Sequence, residues 1–132
     1  MCIFKLFKKK KNTPLSDEAL LDAFWQLWVK NELPSPYFEL LTVISNLGAL
    51  GHADFLNLLA KDDNLKRARS YSFDLLPEVI RTNFKNASQV YLANESRIGD
   101  EDFLEEYDDI FYDNEQEIDK LLLSYAKAFI KE

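Results

Sequence analysis

Between Asp100 and Asp119 the chain places eleven Asp or Glu residues and no Lys or Arg, yet the run carries the spacing of a folded segment. Phe103, Leu104, Tyr107, Ile110 and Phe111 recur at i, i+1, i+4, i+7 and i+8, which is one buried stripe on a helix. At about 100° per residue, Glu101, Asp102, Glu105, Asp108, Asp109 and Asp113 turn away from that stripe. Tyr112 falls among them. The spacing predicts an amphipathic helix capped at Asp100, with an anionic outer side that holds one aromatic ring. A corner follows at Asp113 and Asn114.

Helical spacing governs the rest of the chain too. Ser16 is placed to cap a helix from Asp17 to about Asn31, whose early acids suit the positive end of the helix dipole. Leu20, Leu21, Phe24, Leu27 and Trp28 form its buried side, widened by Trp25 and Val29, and the two tryptophans read as core rather than a ligand cage. Ser35 and Pro36 form a start signal for a helix over Tyr37 to Leu47. Gly48 and Gly51 bracket a break before a further helix from His52 to about Lys61. Asp62 to Asn64 can cap a short helix with Lys66, Arg67 and Arg69. A longer one runs from Leu76 to Ala93, and a last one from Glu115 to about Lys131 buries Ile118, Leu121, Leu122, Tyr125, Ala126 and Phe129.

Three glycines and four prolines in 132 residues leave little turn chemistry for a β-rich fold. With 47% apolar residues, a chain of this length can bury a real core as one domain. The fold expected is all-α, a compact single-domain bundle of about six or seven short helices over residues 14–132, preceded by a flexible basic and apolar head, residues 1–13. No apolar run approaches the ~18 residues of a membrane span. The single Cys2 excludes an internal disulfide and fits a reducing compartment, so a cytoplasmic location is expected.

Net charge is −7, unevenly placed: residues 1–11 carry +5, 12–60 carry −5, 61–97 carry +2 and 98–132 carry −9. In the head, Phe4 and Phe7 with Lys8, Lys9, Lys10 and Lys11 have the composition of a tether to anionic membrane. A loose, solubilising head is the preferred reading, because termini are seldom ordered unless tied down. For the basic middle stretch, pairing with the acidic C-terminal third is preferred over a nucleic-acid patch, since duplexes repel an acidic chain.

Catalysis needs converging groups, and few are visible. His52, the single histidine, is read as serving a helix end. Asp108, Asp109 and Asp113, near Glu105, carry the alternative of a Mg²⁺-dependent all-α phosphohydrolase, since Mg²⁺ takes oxygen ligands and substrate phosphates. The paired acidic motif that such sites draw from a second helix is absent, so no catalytic residue, metal ligand or cofactor is assigned. As a binding surface the run is better matched. If continuous, it presents a carboxylate every ~2.7 Å, close to the ~3.4 Å phosphate spacing of one DNA strand.

Two segments, YFELLTVISNLGALGHADFLNLLAK and EEYDDIFYDNEQEIDKLLLSYAKAFI, resemble a family of small acidic helical bacterial proteins named for DNA mimicry. The first resembles its amphipathic helix, Gly-Ala pair and following helix, the second its acidic-aromatic corner and last helix. The family's Asn-Gly-Gly-Phe signature is absent, the chain reading VKNELPSPYF there. The resemblance implies a non-enzymatic, dimerising protein that blocks a DNA-binding protein. The same features suit bacterial immunity proteins, which cover the active cleft of a toxin. The expectation is therefore a non-enzymatic inhibitor or antitoxin-like protein that covers a basic surface of a protein partner, without binding nucleic acid directly. Its contacts are expected from Asp102, Glu105, Asp108, Asp109, Tyr112 and Asp113, with a homodimer left open. A membrane-tethered structural module is a third reading.

Overall fold

The computed structural model describes residues 15–130; the head, including the six residues of the tether reading, lies outside them. Among the described residues the fold is all-α. Six helices follow in order: α1 Asp17–Val29, α2 Tyr37–Leu59, α3 Asp63–Ser72, α4 Glu78–Ala93, α5 Glu105–Asp113 and α6 Glu115–Phe129. Short 3₁₀ turns at Phe73–Leu75 and Glu95–Arg97 flank α4.

Capping chemistry sets several of these limits. Ser16 Oγ accepts the backbone N–H of Ala19 at 3.1 Å to start α1, and Asp62 Oδ1 accepts that of Leu65 at 3.1 Å to start α3. Each satisfies one of the first-turn donors that a helix leaves unpaired. Ser35 departs from the expected capping role. Pro36 occupies the cap of α2 without a side-chain bond, and Ser35 Oγ instead donates to Glu39 Oε2 at 2.8 Å.

Helix α2 is the centre of the bundle and packs against α1, α3, α4 and α5, while α6 closes over α1 and α5. Phe24, Leu40, Leu41, Leu47, Phe55, Ile80 and Leu122 are completely enclosed, each contributing about 1.5–3 kcal/mol by leaving water. Phe55 and Phe84 meet edge to face at 5.7 Å, and Trp28 donates from Nε1 to Thr42 Oγ1 at 2.9 Å. Three residues assigned inward by spacing are exposed: Val29, Ile110 and Phe129. Val29 and Phe129 are the last residues of α1 and α6, whereas Ile110 lies mid-way along α5 at the margin of its apolar stripe.

The expected break between Gly48 and Gly51 is a kink at one residue. Gly51 alone leaves helical geometry, at φ 79° and ψ 169°, a region open essentially only to glycine. Gly48 stays helical, with Phe111 packed over it at ordinary contact distance: a Cβ there would sit 3.5 Å from the ring.

The acidic stretch is shorter as a helix than its pattern predicts. Residues 101–104 form turns, with backbone bonds from Phe103 to Asp100 and from Glu105 to Asp102. Leu104 takes the left-handed conformation at φ 65° immediately before α5. Arg97 closes this turn, reaching Asp100 at 3.2 Å and Asp102 at 3.5 Å with its guanidinium over the Phe103 ring. A second break at Asn114 separates α5 from α6. The unbroken carboxylate row of DNA-like spacing is therefore not formed.

Candidate protein-binding face

The kink at Gly51 determines what α5 can present. In a continuous helix the His52 N–H would bond the Gly48 carbonyl. Here Asp108 Oδ1 accepts the His52 backbone N–H at 2.7 Å and also meets His52 Nδ1 at 2.7 Å. One turn further along α5, the Tyr112 hydroxyl donates to the Gly48 carbonyl at 2.8 Å. The two α5 side chains thus take the donor and the acceptor that the kink separates. Asn83 on α4 fixes α5 from the other side, donating to the Tyr107 carbonyl at 2.8 Å.

His52 is 1% exposed, with Phe84, Tyr107 and Phe111 around its ring. Burial pushes its pKa below the ordinary 6.5, while the Asp108 hydrogen bond and charge work in the opposite direction. Since a carboxylate accepts at Nδ1, the neutral ring carries its proton there. Nε2 then has no hydrogen-bond partner among the described residues.

Asp108, expected at the partner contact, is engaged inside the fold as a strut to His52, its side chain 23% exposed. Gly51 in the sequence signals only that a kink there leaves an N–H needing an acceptor; which carboxylate supplies it is set by the tertiary fold. Asp102 is exposed and pairs with Arg97 at 3.5 Å, so its charge is partly offset within the chain. Asp108 faces His52 while Asp109 and Asp113 face solvent, so the three carboxylates of the phosphohydrolase alternative do not converge. Among the described residues no group of three or more His, Cys, Asp or Glu is arranged to hold a metal ion.

Glu105, Asp109 and Asp113 remain as an outward row on α5, one turn apart, with Glu106 beside them. No described Lys or Arg forms an ion pair with any of the four. The Tyr112 ring is 44% exposed, its hydroxyl committed to Gly48 and its edge open to solvent. Beside it lies a cleft of about 320 Å³, floored by Trp25, Ile44, Phe111 and Ile118 and rimmed by Glu115 and Asp119. An aliphatic stem fits such a floor while a cationic head reaches the rim.

Among the described residues, the ion pairs between the basic middle stretch and the acidic third are those of Arg97 with Asp100 and Asp102. Arg67 instead covers Tyr71, and Arg69 covers Phe73 and Phe84. Lys66 pairs locally with Asp63. Cation–aromatic contact offers these side chains a nearer partner than the far side of the bundle.

No protein-family model, curated protein or solved structure matches this chain. No helix among the described residues is long and apolar enough to cross a membrane.

Proposed function

We propose that this protein is a non-enzymatic, acidic binding module that covers a basic surface of a protein partner, as an immunity protein does for a toxin or a DNA mimic for a DNA-binding protein. One observation carries the reading: Glu105, Asp109 and Asp113 stand exposed in a row, unpaired by any described cation, on the helix whose Phe111 helps line a cleft that Glu115 and Asp119 also line. Glu105, Asp109, Tyr112 and Asp113 form the contact, with Glu115 and Asp119 receiving a lysine or arginine of the partner.

The nine residues of α5 span about 14 Å. That length suits covering a compact basic cleft better than running along a strand-binding groove. A reducing, cytoplasmic setting fits the single Cys2. Attraction of this kind acts mainly on the rate of association and falls with ionic strength.

The test is affinity capture from source cells with the full chain and with an Asp109→Lys, Asp113→Lys variant, each with and without excess duplex DNA. Recovery of a basic protein by the parent chain alone, released by moderate salt, supports the proposal. Equal recovery by the variant moves the contact elsewhere. Competition by DNA would mark the partner as a nucleic-acid-binding protein.

A further inference from the structure

Away from the acidic face, a cavity of about 300 Å³ opens between α2 and α3, lined by Phe38, Glu39, Leu58, Asp62, Leu65 and Arg67 among others. Glu39 is the unusual member. It is a carboxylate only 8% exposed, in the third position of α2. A glutamate there ordinarily reaches back to the N–H of the capping residue, but the cap is Pro36, which has none. Its Oε2 takes the Ser35 hydroxyl at 2.8 Å, and its Oε1, also buried, has no hydrogen-bond partner among the described residues.

Burying a carboxylate oxygen without a donor is costly, and the obvious internal donor is turned elsewhere. The Arg67 guanidinium lies over the Tyr71 ring, 5.2 Å from its centroid. Asp62 brings a second carboxylate to the same cavity, with one oxygen occupied by the Leu65 N–H. Phe38, Leu58 and Leu65 supply apolar walls. The volume equals roughly ten waters at liquid density, too much for one bridging water and enough for a short organic molecule.

We propose that this cavity binds an organic cation, an ammonium or guanidinium on a short aliphatic stem, whose N–H groups complete the Glu39 carboxylate while the stem lies against Phe38 and Leu65. A guanidinium suits the site best, since its forked donors match a carboxylate edge to edge. The same chemistry is carried by a free small molecule and by an arginine side chain of a protein.

Titration of the full chain, followed by backbone amide NMR, separates the cases. Propylguanidinium should saturate, with shifts confined to the residues around Glu39, Leu58 and Leu65. Propylurea, its neutral counterpart, should bind at least about tenfold more weakly, as should propylguanidinium to a Glu39→Gln variant. The Asp109→Lys, Asp113→Lys variant should bind propylguanidinium like the parent, which keeps this site independent of the acidic face. A blocked Gly-Arg-Gly peptide binding more tightly than propylguanidinium assigns the cation to a protein arginine, and weaker binding assigns it to a free small molecule. Equal binding of the urea, shifts scattered over α5, or no saturation by either cation overturns the proposal. The comparison of two probes on the parent chain holds even if Glu39→Gln fails to fold.

Discussion

The carboxylate of Asp108 holds both the backbone N–H and the ring nitrogen of His52, each at 2.7 Å. It does so across 56 residues of chain, so the acidic helix α5 and the kink of the central helix α2 stabilise one another. Asp108 Oδ2 completes the arrangement by lying where Gly51 has no side chain: a Cβ there would be 2.8 Å away.

Gly51→Ala should therefore destabilise the protein for two separable reasons. The backbone strain alone costs of order 1–3 kcal/mol, and displacing Asp108 adds the loss of a capping bond worth about 1 kcal/mol. An Asp108→Ala change removes the obstruction but not the strain. Gly51→Ala should cost less in that background than in the parent, a positive coupling that a double-mutant cycle in urea will read. Strict additivity would show that the two residues act independently.

Stability should depend on pH through His52. The folded imidazole titrates below the ordinary 6.5, chiefly because it is buried. Between those two values the unfolded chain binds a proton that the folded chain does not. Stability is then complete above pH 6.5 and falls as pH drops through the window towards the folded value. Urea midpoints from about pH 8 down to about pH 5.5 should decline, and His52→Gln should flatten the decline. An unchanged slope in the variant would assign the effect to other groups.

Tyr112 has two roles that one substitution divides. Its hydroxyl satisfies the Gly48 carbonyl, whereas its ring edge belongs to the exposed side of α5. Tyr112→Phe should lower stability by about 0.5–1.5 kcal/mol, the net worth of an ordinary hydrogen bond. Partner affinity should change little, because the ring remains. Tyr112→Ala should weaken both. A phenylalanine variant with normal stability would show that water replaces the hydroxyl without loss.

The helices are legible because their apolar residues keep the helical period through nearly every element: Leu40, Leu41, Ile44 and Leu47 recur at helical spacing and are buried. Gly51 is legible as a break, though not as the sole break, because either glycine has the freedom to leave the helix and only the folded chain shows that Gly51 alone does so. The acidic segment departs from its helical pattern at residues 101–104. Helical periodicity places Phe103 and Leu104 correctly on the buried side, but they reach it through a turn closed by Arg97 and a left-handed Leu104. Spacing could not separate Asp108 from Asp109 either. Both lie beside the apolar stripe, and only the unpaired His52 N–H, a tertiary fact, selects the first. Glu39 was missed altogether, because its burial depends on α3 folding across it.

Reversing Asp109 and Asp113 should separate binding from folding. Both side chains are exposed and neither pairs with a described cation, so the double lysine variant should keep the urea midpoint of the parent. Against a basic partner it replaces attraction with repulsion over distances that lie within a Debye length, about 10 Å at 0.1 M salt. Association should slow by tenfold or more at low ionic strength and approach the parent rate in high salt. Asp108→Lys should behave in the opposite manner, losing stability first because it places a cation beside the buried His52. Stopped-flow association over a salt series, with urea melts of each variant, distinguishes the two. If reversal at Asp109 and Asp113 left the low-salt rate untouched, the partner would not be reading the exposed row on α5.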